Sequence, residues 1–191
     1  MWKNVTDEDK KKFEEKGYAI TYGELTLEGL KKIMKNVDST EKDRDKVFKD
    51  KVFVDLGSGN GNIVINAIKE HPNLYKSIGI EFSKSRHETA ENNLKKEKAT
   101  IKKKVKFLNN DILDDGFDYS DFDIIYISNL CFSDEINGKL SEKINKECNP
   151  GTHIFCSRPL LGLGLSNIPN PVIFQVPQTW TSQSNINYYA I

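Results

Sequence analysis

The fold of this chain is decided by the stretch Val52-Phe-Val-Asp-Leu-Gly-Ser-Gly-Asn-Gly61, in which an apolar run leads directly into a glycine-rich loop. Glycines at the end of a strand let the backbone approach a ligand closely. A dinucleotide phosphate needs the spacing G-x-G-x-x-G, but here the third glycine comes one residue early. Asp55 would also repel a phosphate at the following helix N-terminus. The pattern therefore predicts a strand, a loop and a helix that together bind a cationic ligand.

The spacing D-x-G-x-G-x-G resembles the cofactor loop of S-adenosylmethionine-dependent methyltransferases. In those enzymes an acidic residue and nearby backbone groups hold the amino-acid end of the cofactor. The resemblance implies that S-adenosyl-L-methionine is the cofactor and that S-adenosyl-L-homocysteine is its product. The loop residues that it places at the cofactor are Asp55, Gly57, Ser58, Gly59, Gly61 and Asn62.

Two further acidic residues follow the next predicted strands. Glu81 ends the run Ser77-Ile-Gly-Ile80, where a carboxylate accepts hydrogen bonds from both ribose hydroxyls. The alternative for Glu81 is an ordinary exposed glutamate. Asp111 follows the run 105–108 and is the candidate partner of the adenine amino group, with Ile112 covering the ring. Acidic residues at the ends of three successive strands support one another as one cofactor site.

Composition indicates a single domain without a strong net electrostatic field. Of the 191 residues 37% are hydrophobic, which is enough for one α/β core and short for two domains. The 28 basic and 28 acidic residues cancel, which disfavours strong autonomous binding to nucleic acid or to an anionic membrane. No apolar run approaches about 18 residues, so we expect neither a transmembrane span nor a signal peptide.

The cysteines and histidines indicate an intracellular protein without a metal site. Cys131, Cys148 and Cys156 lack the C-x-x-C spacing and are interpreted as reduced, mostly buried residues. The three histidines are scattered along the sequence, which disfavours a metal centre.

The order of hydrophobic patterns predicts an α/β fold with a doubly wound, mostly parallel sheet. Thr6 and Thr26 are candidate caps of two N-terminal helices, and 38–51 is expected to be a charged linker. Strands and helices then alternate, and the tail holds two β-prone runs, 172–176 and 187–191, joined by a proline-rich and polar loop as a closing hairpin. The predicted alternating elements are 52–56, 63–70, 77–81, 85–98, 105–108, 124–128, 134–148 and 152–157.

A narrower resemblance joins motifs from both ends of the chain. The chain resembles the catalytic core of the Dot-one (disruptor of telomeric silencing) family, the lysine methyltransferases that lack a SET domain and act on a core histone. The match runs in order over roughly residues 18 to 191. Its motifs are Tyr22-Gly-Glu24, Val54-Asp-Leu-Gly-Ser-Gly59, Ile125-Tyr-Ile-Ser-Asn-Leu-Cys-Phe132, Phe155-Cys-Ser-Arg-Pro159, Trp180-Thr181 and Tyr188-Tyr189.

This resemblance implies a fold and a domain organisation. We expect a Rossmann-like class I methyltransferase with a seven-stranded, mostly parallel sheet, helices on both faces and a C-terminal antiparallel hairpin. Residues 1–191 would form one methyltransferase domain. Residues 1–50 would hold the N-terminal helices and the Tyr-Gly-Glu segment that closes over the cofactor, and 51–191 would hold the cofactor-binding core.

The resemblance also implies roles for individual residues. Phe132, Trp180 and Tyr188 would wall a narrow channel that admits an uncharged lysine, although core packing is the alternative for each aromatic residue. Tyr22 and Glu24 would close over the cofactor, with Glu24 a candidate partner of its amino group. Ser128 and Asn129 would lie between cofactor and acceptor, and Asn129 would contact both.

Departures from the family pattern leave the acceptor open. The family has paired asparagines where this chain has Ser128-Asn129, and a serine reaches less far than an amide. We expect a protein-lysine N-methyltransferase, with a core histone or nucleosome as the first candidate substrate. A non-histone protein or small-molecule methyltransferase is the alternative, and a catalytically silent binding module is the third. The location would be the nucleus for a histone-directed enzyme and the cytoplasm otherwise.

Overall fold

The computed structural model describes residues 5–20, 23–37, 47–160 and 170–191. Within these ranges no helix combines the length and the hydrophobicity needed to cross a bilayer. The same ranges contain no group of three or more His, Cys, Asp or Glu side chains arranged to hold a metal ion.

Within the described residues, two capped helices precede the sheet, as their sequence signals predict. Helix α1 spans Asp7–Lys16 and begins where the Thr6 side chain accepts a hydrogen bond from the Asp9 amide. It ends at Gly17, whose φ of 69° is left-handed and closes the last turn. Helix α2 spans Leu27–Lys35, and its Thr26 cap accepts from the amide of Gly29.

In the described part of the chain from residue 47 onward, five strands and four helices follow, and two further strands close the sheet. The strands are β1 (Val52–Leu56), β2 (Lys76–Glu81), β3 (Val105–Asn109), β4 (Ile124–Ile127), β5 (His153–Cys156), β6 (Val172–Gln178) and β7 (Thr181–Ala190). The helices are α3 (Asn62–Glu70), α4 (Lys84–Lys95), α5 (Ala99–Lys102) and α6 (Asp134–Glu147), and a short 3-10 turn covers Tyr119–Asp121.

The strands form one seven-stranded sheet in the order β3-β2-β1-β4-β5-β7-β6. β1 to β5 pair in parallel, whereas β7 runs antiparallel to both β5 and β6. The predicted doubly wound sheet with a closing hairpin is therefore confirmed. The strand order reverses on either side of β1, and in such sheets a crevice opens there at the carboxyl ends of the strands.

Helices cover both faces of the sheet. One face packs against α2, α3 and α4 through a buried cluster that includes Phe53, Tyr126 and Phe155. The other face packs against α6 and the 3-10 turn through a cluster that includes Val54 and Ile125. The side chains alternate between the two clusters along each strand, as the pleat requires.

The hairpin differs from its prediction in length and connection. β7 begins at Thr181 rather than at 187, so only Thr179 and Trp180 separate it from β6. Residues 181–186 are polar except for Ile186, and they pair with β6 despite their low hydrophobicity because most of their side chains are at least partly exposed to solvent. The predicted proline-rich loop is thus a tight turn, and Pro177 lies at a register shift within β6.

Two other segments also depart from the prediction. Residues 38–46 of the expected linker lie outside the described residues, while Phe48 is buried and its ring lies 4.2 Å from that of His71. The expected helix 85–98 ends at Lys95 and is followed by the separate helix α5.

Candidate active site

A cavity of about 300 Å³ opens at the carboxyl ends of β1, β2 and β4. Its wall is built from the glycine loop, the end of β2, the segment after β4, the N-terminal helix and the turn of the hairpin. Motifs that are distant in sequence therefore meet in one site. Many of the residues expected there line it: Glu24, Asp55, Gly57, Ser58, Gly59, Glu81, Ile112, Ser128, Phe132 and Trp180.

Acidic side chains dominate one part of this wall. Asp55 is 4% exposed, and no described side chain or backbone group donates a hydrogen bond to its carboxylate. Burial, and then the carboxylates of Glu81 and Glu24, raise the pKa of Asp55 well above its usual range. Like charges close together in a buried place are costly unless a cation joins them. This part of the cavity is therefore built to receive positive charge.

Glu81 organises the glycine loop as well as lining the cavity. Its carboxylate accepts hydrogen bonds from the backbone amides of Gly59 at 2.7 Å and Ser83 at 2.8 Å. Burial raises the pKa of Glu81, although these amides and the Arg86 guanidinium act in the opposite direction. The side chain is 4% exposed, so the alternative of an ordinary exposed glutamate is wrong.

The glycine loop needs glycine for different reasons at two positions. Gly59 has a φ of 53° and presents its amide to Glu81. Gly61 has a φ of 77°, and a Cβ there would lie 2.3 Å from the ring of Phe107. Gly61 therefore shapes the turn into α3 but does not itself line the cavity. The Ser58 hydroxyl is buried without a hydrogen-bond partner.

Asn62 lies beside the cavity and supports Glu24. Its Nδ2 lies 3.1 Å from each carboxylate oxygen of Glu24. Asn62 is exposed and is not among the lining residues, so the structure places it behind Glu24 rather than at the cofactor site itself.

An aromatic wall at the nucleoside end of the cavity was not foreseen. Phe13 of α1, Tyr18 and Phe82 all line the cavity, and their rings contact one another edge to face at 5.2 to 6.3 Å. Arg86 lies 6.0 Å from the Phe13 ring and donates a hydrogen bond to the carbonyl of Ile20. The sequence carried no signal for this wall beyond scattered aromatic residues.

Helix α1 is held over this end by a buried carboxylate. Asp9 is 1% exposed and accepts hydrogen bonds from the Ser83 hydroxyl at 2.8 Å, from the Ser85 hydroxyl and from two amides at the start of α4. Burial alone would raise the pKa of Asp9, but the bonds from Ser85 and Ser83 outweigh it and the pKa is lowered. A carboxylate at a helix N-terminus is also favoured by the helix dipole.

Asp111 faces the N-terminal segment instead of the cavity. It accepts a hydrogen bond from the Tyr18 hydroxyl at 2.6 Å, and Lys16 lies 3.3 Å from its other oxygen. The amide of Leu113 is a third donor. Asp111 is not among the lining residues, whereas its neighbour Ile112 is. The structure therefore gives Asp111 the role of fastening Tyr18 in the aromatic wall.

The opposite end of the cavity has an apolar mouth, where the Tyr-Gly-Glu and Trp-Thr motifs meet. Trp180 is 44% exposed and packs so closely on Gly23 that a Cβ on the glycine would lie 1.9 Å from a ring carbon. The amide of Thr179 donates to the carbonyl of Glu24 at 2.9 Å, and the Thr179 hydroxyl accepts from the amide of Glu24 at 3.0 Å. These contacts tie the hairpin turn to the segment that covers the cavity.

The segment after β4 supplies the other side of the mouth. Ser128, Leu130, Cys131 and Phe132 line the cavity, and Leu130 is 47% exposed. Asn129 does not line it, contrary to its expected contact with both cofactor and acceptor. Its side chain is fully buried and bonds the backbone of Arg158 and the side chain of Asn137. Asn129 thus fixes the segment that carries Ser128 and Phe132.

Tyr188 also lies away from the cavity. Its ring stacks on Phe155 at 4.7 Å, and its hydroxyl is 2.8 Å from Nδ1 of His153. β7 pairs directly with β5 at this residue, which directs the side chain into the packed face of the sheet. Of the three aromatic residues expected to wall a channel, Phe132 and Trp180 line the cavity and Tyr188 does not. Tyr22, the other residue expected to close the site, lies outside the described residues.

The residues present fit the expected cofactor. S-adenosylmethionine carries an ammonium and a sulfonium, and the clustered carboxylates that raise the pKa of Asp55 favour a ligand with such positive charge. The buried Ser58 hydroxyl without a partner and the glycine loop leave polar groups and backbone for its amino-acid end. The aromatic wall and Ile112 offer apolar surface for a nucleoside base.

Comparisons with known proteins identify the family of this chain. The family described as "Histone methylation protein DOT1" matches residues 4–171. A curated protein-lysine N-methyltransferase of Saccharolobus islandicus (strain REY15A) is 29% identical over 109 residues. That match covers 57% of this chain and 63% of the relative, so the chain spans less than two thirds of the relative's length.

Solved structures share the fold at low sequence identity. An RNA methyltransferase from Salinibacter ruber in complex with S-adenosyl-L-homocysteine is 20% identical, with a TM-score of 0.58 over 85% of this chain and 89% of that chain. The mitomycin 7-O-methyltransferase MmcR is 15% identical, with a TM-score of 0.59 over 85% of this chain and 53% of that chain. The fold is that of the class I methyltransferases. The chain therefore belongs to the DOT1 family of histone methylation proteins, and S-adenosylmethionine is the cofactor of the site described above.

Proposed function

We propose that this chain methylates the side-chain amine of a lysine in a protein substrate. The observation that carries the proposal is that one cavity combines an acidic part with an apolar mouth. Asp55, Glu81 and Glu24 make one part of the wall acidic, while Trp180 and Phe132 make the mouth apolar. The bound cofactor supplies the methyl group from a sulfonium. The mouth serves an acceptor that must lose its own charge before it reacts.

An apolar mouth favours the form of lysine that reacts. A protonated ammonium has no lone pair, so the acceptor must enter uncharged and be aligned with the methyl group. Desolvation between Trp180 and Phe132 lowers the pKa of an entering lysine, and a nearby positive charge acts in the same direction. No dedicated base is required if water removes the proton. The curated relative, named for lysine methylation of proteins, supports the same acceptor.

A core histone or nucleosome is the first candidate substrate, because the matching family is described by histone methylation. A non-histone protein is the second, and the formal net charge of zero favours it. Affinity for DNA-wrapped particles comes largely from neutralising phosphates and falls steeply with salt. We expect nucleosome binding by this chain alone to be weak and lost near 0.15 M salt. The location would follow the substrate, being nuclear for histones and cytoplasmic otherwise.

The test is transfer of a labelled methyl group from the cofactor. Nucleosomes, free histones, lysate proteins and a small-molecule extract are incubated with wild type, and labelled products are hydrolysed to identify methylated lysine. Trp180→Ala is the matched variant, and it should reduce turnover about tenfold or more while cofactor affinity changes less than about twofold. Label confined to small molecules or RNA would refute the protein-lysine proposal. Label in other proteins but in no histone would remove the histone candidate alone.

A further inference from the structure

Besides the Ser58 hydroxyl, a second buried hydroxyl in the cavity wall has no hydrogen-bond partner within the part of the chain that the structure describes. Tyr126, in β4, is 2% exposed and lines the cavity, yet no described group meets its hydroxyl at hydrogen-bond distance and angle. The Ser128 hydroxyl is a neighbouring hydrogen-bonding group. Other tyrosine hydroxyls are paired: Tyr18 with Asp111, Tyr119 with the Ile112 carbonyl, Tyr188 with His153 and Tyr189 with the Leu160 amide. Buried polar groups are nearly always satisfied, so an exception in a ligand cavity indicates a ligand.

The register of the sheet places this hydroxyl between the acidic part of the cavity and the mouth. Tyr126 lies directly opposite Asp55 on β1 and Phe155 on β5. Aligned residues of parallel neighbours share a face, and a step of two residues returns to it, so Ser128 extends the same row. Ser128 leads into the segment that forms the mouth with Trp180. The nucleoside end, with its aromatic wall from α1, lies beyond Glu81 on β2.

The Tyr126 phenol stays protonated. Burial and then the neighbouring Asp55 carboxylate raise its pKa, and these effects outweigh the opposing influence of the Ser128 hydroxyl. Its oxygen can accept a hydrogen bond, but the group does not act as an anionic base. An uncharged primary amine has N–H groups to donate and one lone pair. A bond from an N–H to a fixed oxygen orients that lone pair.

We propose that the Tyr126 hydroxyl, assisted by Ser128, holds the acceptor nitrogen by accepting a hydrogen bond from one of its N–H groups. This inference rests on the proposed lysine acceptor. It also predicts dependence on the methylation state of the substrate. An unmethylated or monomethylated neutral amine retains an N–H for Tyr126, whereas a dimethylated amine retains none. The hydroxyl should therefore assist the first two transfers and leave the third unaided.

The experiment compares Tyr126→Phe with Tyr189→Phe. Each change removes one buried hydroxyl oxygen, but the hydroxyl of Tyr189 accepts from the Leu160 amide at 3.1 Å, away from the cavity. Thermal unfolding without ligand should show no loss for Tyr126→Phe and a decrease of about 2–4 °C for Tyr189→Phe. Calorimetry with S-adenosylhomocysteine should show affinities within about twofold of wild type for both variants.

Turnover then tests the role at the acceptor. With an unmethylated lysine peptide, found by the labelled-cofactor screen, Tyr126→Phe should lower turnover about tenfold. With the dimethylated form of the same peptide it should change turnover less than about twofold. Tyr189→Phe should preserve both rates. Equal effects on the two peptides, or no effect on either, would overturn the inference. A fivefold or greater loss of cofactor affinity would also overturn it, because the hydroxyl would then serve the cofactor.

A separate probe distinguishes failure of the proposed lysine substrate from failure of the proposed role of Tyr126. If wild type methylates no lysine peptide, binding of n-butylamine to the complex with S-adenosylhomocysteine is followed by NMR at alkaline pH. Weaker binding to Tyr126→Phe than to wild type would support the amine-holding role independently of the natural substrate. Unchanged binding would refute that role.

Discussion

Asp55→Asn is expected to stabilise the ligand-free protein while weakening cofactor binding. Asp55 is 4% exposed, receives no hydrogen bond from the described residues and faces the carboxylates of Glu81 and Glu24. Asparagine keeps the shape and removes the charge. Removing this unfavourable buried charge should raise the free energy of unfolding by about 1 kcal/mol, which corresponds to an increase in melting temperature on the order of 2–4 °C for a chain of this size. Loss of a charged partner should cost the cofactor about 1.5–3 kcal/mol, roughly 10–150-fold in affinity.

The stabilisation should depend on pH in a definite direction. The pKa of Asp55 is raised in the folded protein, so wild type bears the cost of its charge at neutral pH. Below the pKa of an unfolded aspartate the group is protonated in both states, and that cost vanishes. Stability is lost as the pH rises from there through the raised folded pKa. The difference between Asp55→Asn and wild type should therefore be largest near pH 8 and close as the pH falls toward 4.

Differential scanning fluorimetry without ligand measures the stability, and calorimetry with S-adenosylhomocysteine measures the affinity. Asp123→Asn is the matched control, because it removes the same charge from a carboxylate that is satisfied by Lys51 at 2.9 Å and by the Val52 amide at 2.8 Å. This control should lower stability and preserve cofactor affinity. The reasoning would be refuted if Asp55→Asn lowered stability at pH 8, or if its effect on stability did not change with pH.

Three further substitutions test other parts of the site. Asp9→Ala should lower the free energy of unfolding by about 1–3 kcal/mol, since its donors on α4 lose a buried acceptor. Because the pKa of Asp9 is lowered, this contribution is present at neutral pH and disappears as the pH falls through the folded pKa. Urea titrations measure the difference in unfolding free energy between wild type and Asp9→Ala, and an equal difference at pH 7 and pH 3 would contradict this prediction. Gly23→Ala should displace Trp180 and cut turnover about tenfold or more with little change in cofactor affinity, whereas Gly138→Ala, which meets no atom within 4 Å, should be neutral in the same assays. Full activity of Gly23→Ala would show that the mouth tolerates a displaced ring. Glu81→Gln should weaken cofactor binding by about 1–3 kcal/mol. It should also lower the melting temperature, because the Glu81 carboxylate accepts hydrogen bonds from two backbone amides. An unchanged melting temperature would contradict the role of Glu81 in holding the glycine loop.

The cofactor half of the site was readable from local sequence. Glycines at 57, 59 and 61 follow the apolar strand β1, and the acidic residues Asp55 and Glu81 lie at the carboxyl ends of β1 and β2. Parallel strands of a doubly wound sheet end at the same edge, so the carboxyl ends meet without further information. Family resemblance added the hairpin turn at Trp180 and the segment at Glu24, and the structure brings these two together through Thr179.

The acceptor half was less predictable, because motif residues near one another in sequence can face opposite sides of a strand or segment. Tyr188 and Asn129 belong to matched motifs, yet pairing of β7 with β5 directs Tyr188 into the packed sheet. The loop after β5 captures the Asn129 side chain. Neither partner is near in sequence, so local pattern contained no information on where these side chains point.

Sequence alone therefore determined the doubly wound parallel sheet of the cofactor half and the glycine loop, because these depend on contacts within short segments or on fixed rules of parallel sheets. The resemblance of that loop to methyltransferase loops implied the cofactor. Only the tertiary structure decided that α1 walls the nucleoside end and that Asp111 fastens Tyr18. It alone placed Trp180 on Gly23 and left the Tyr126 hydroxyl without a partner in the cavity. Each of these depends on side chains dozens of residues apart, whose approach is fixed by packing of the whole domain and not by any local preference.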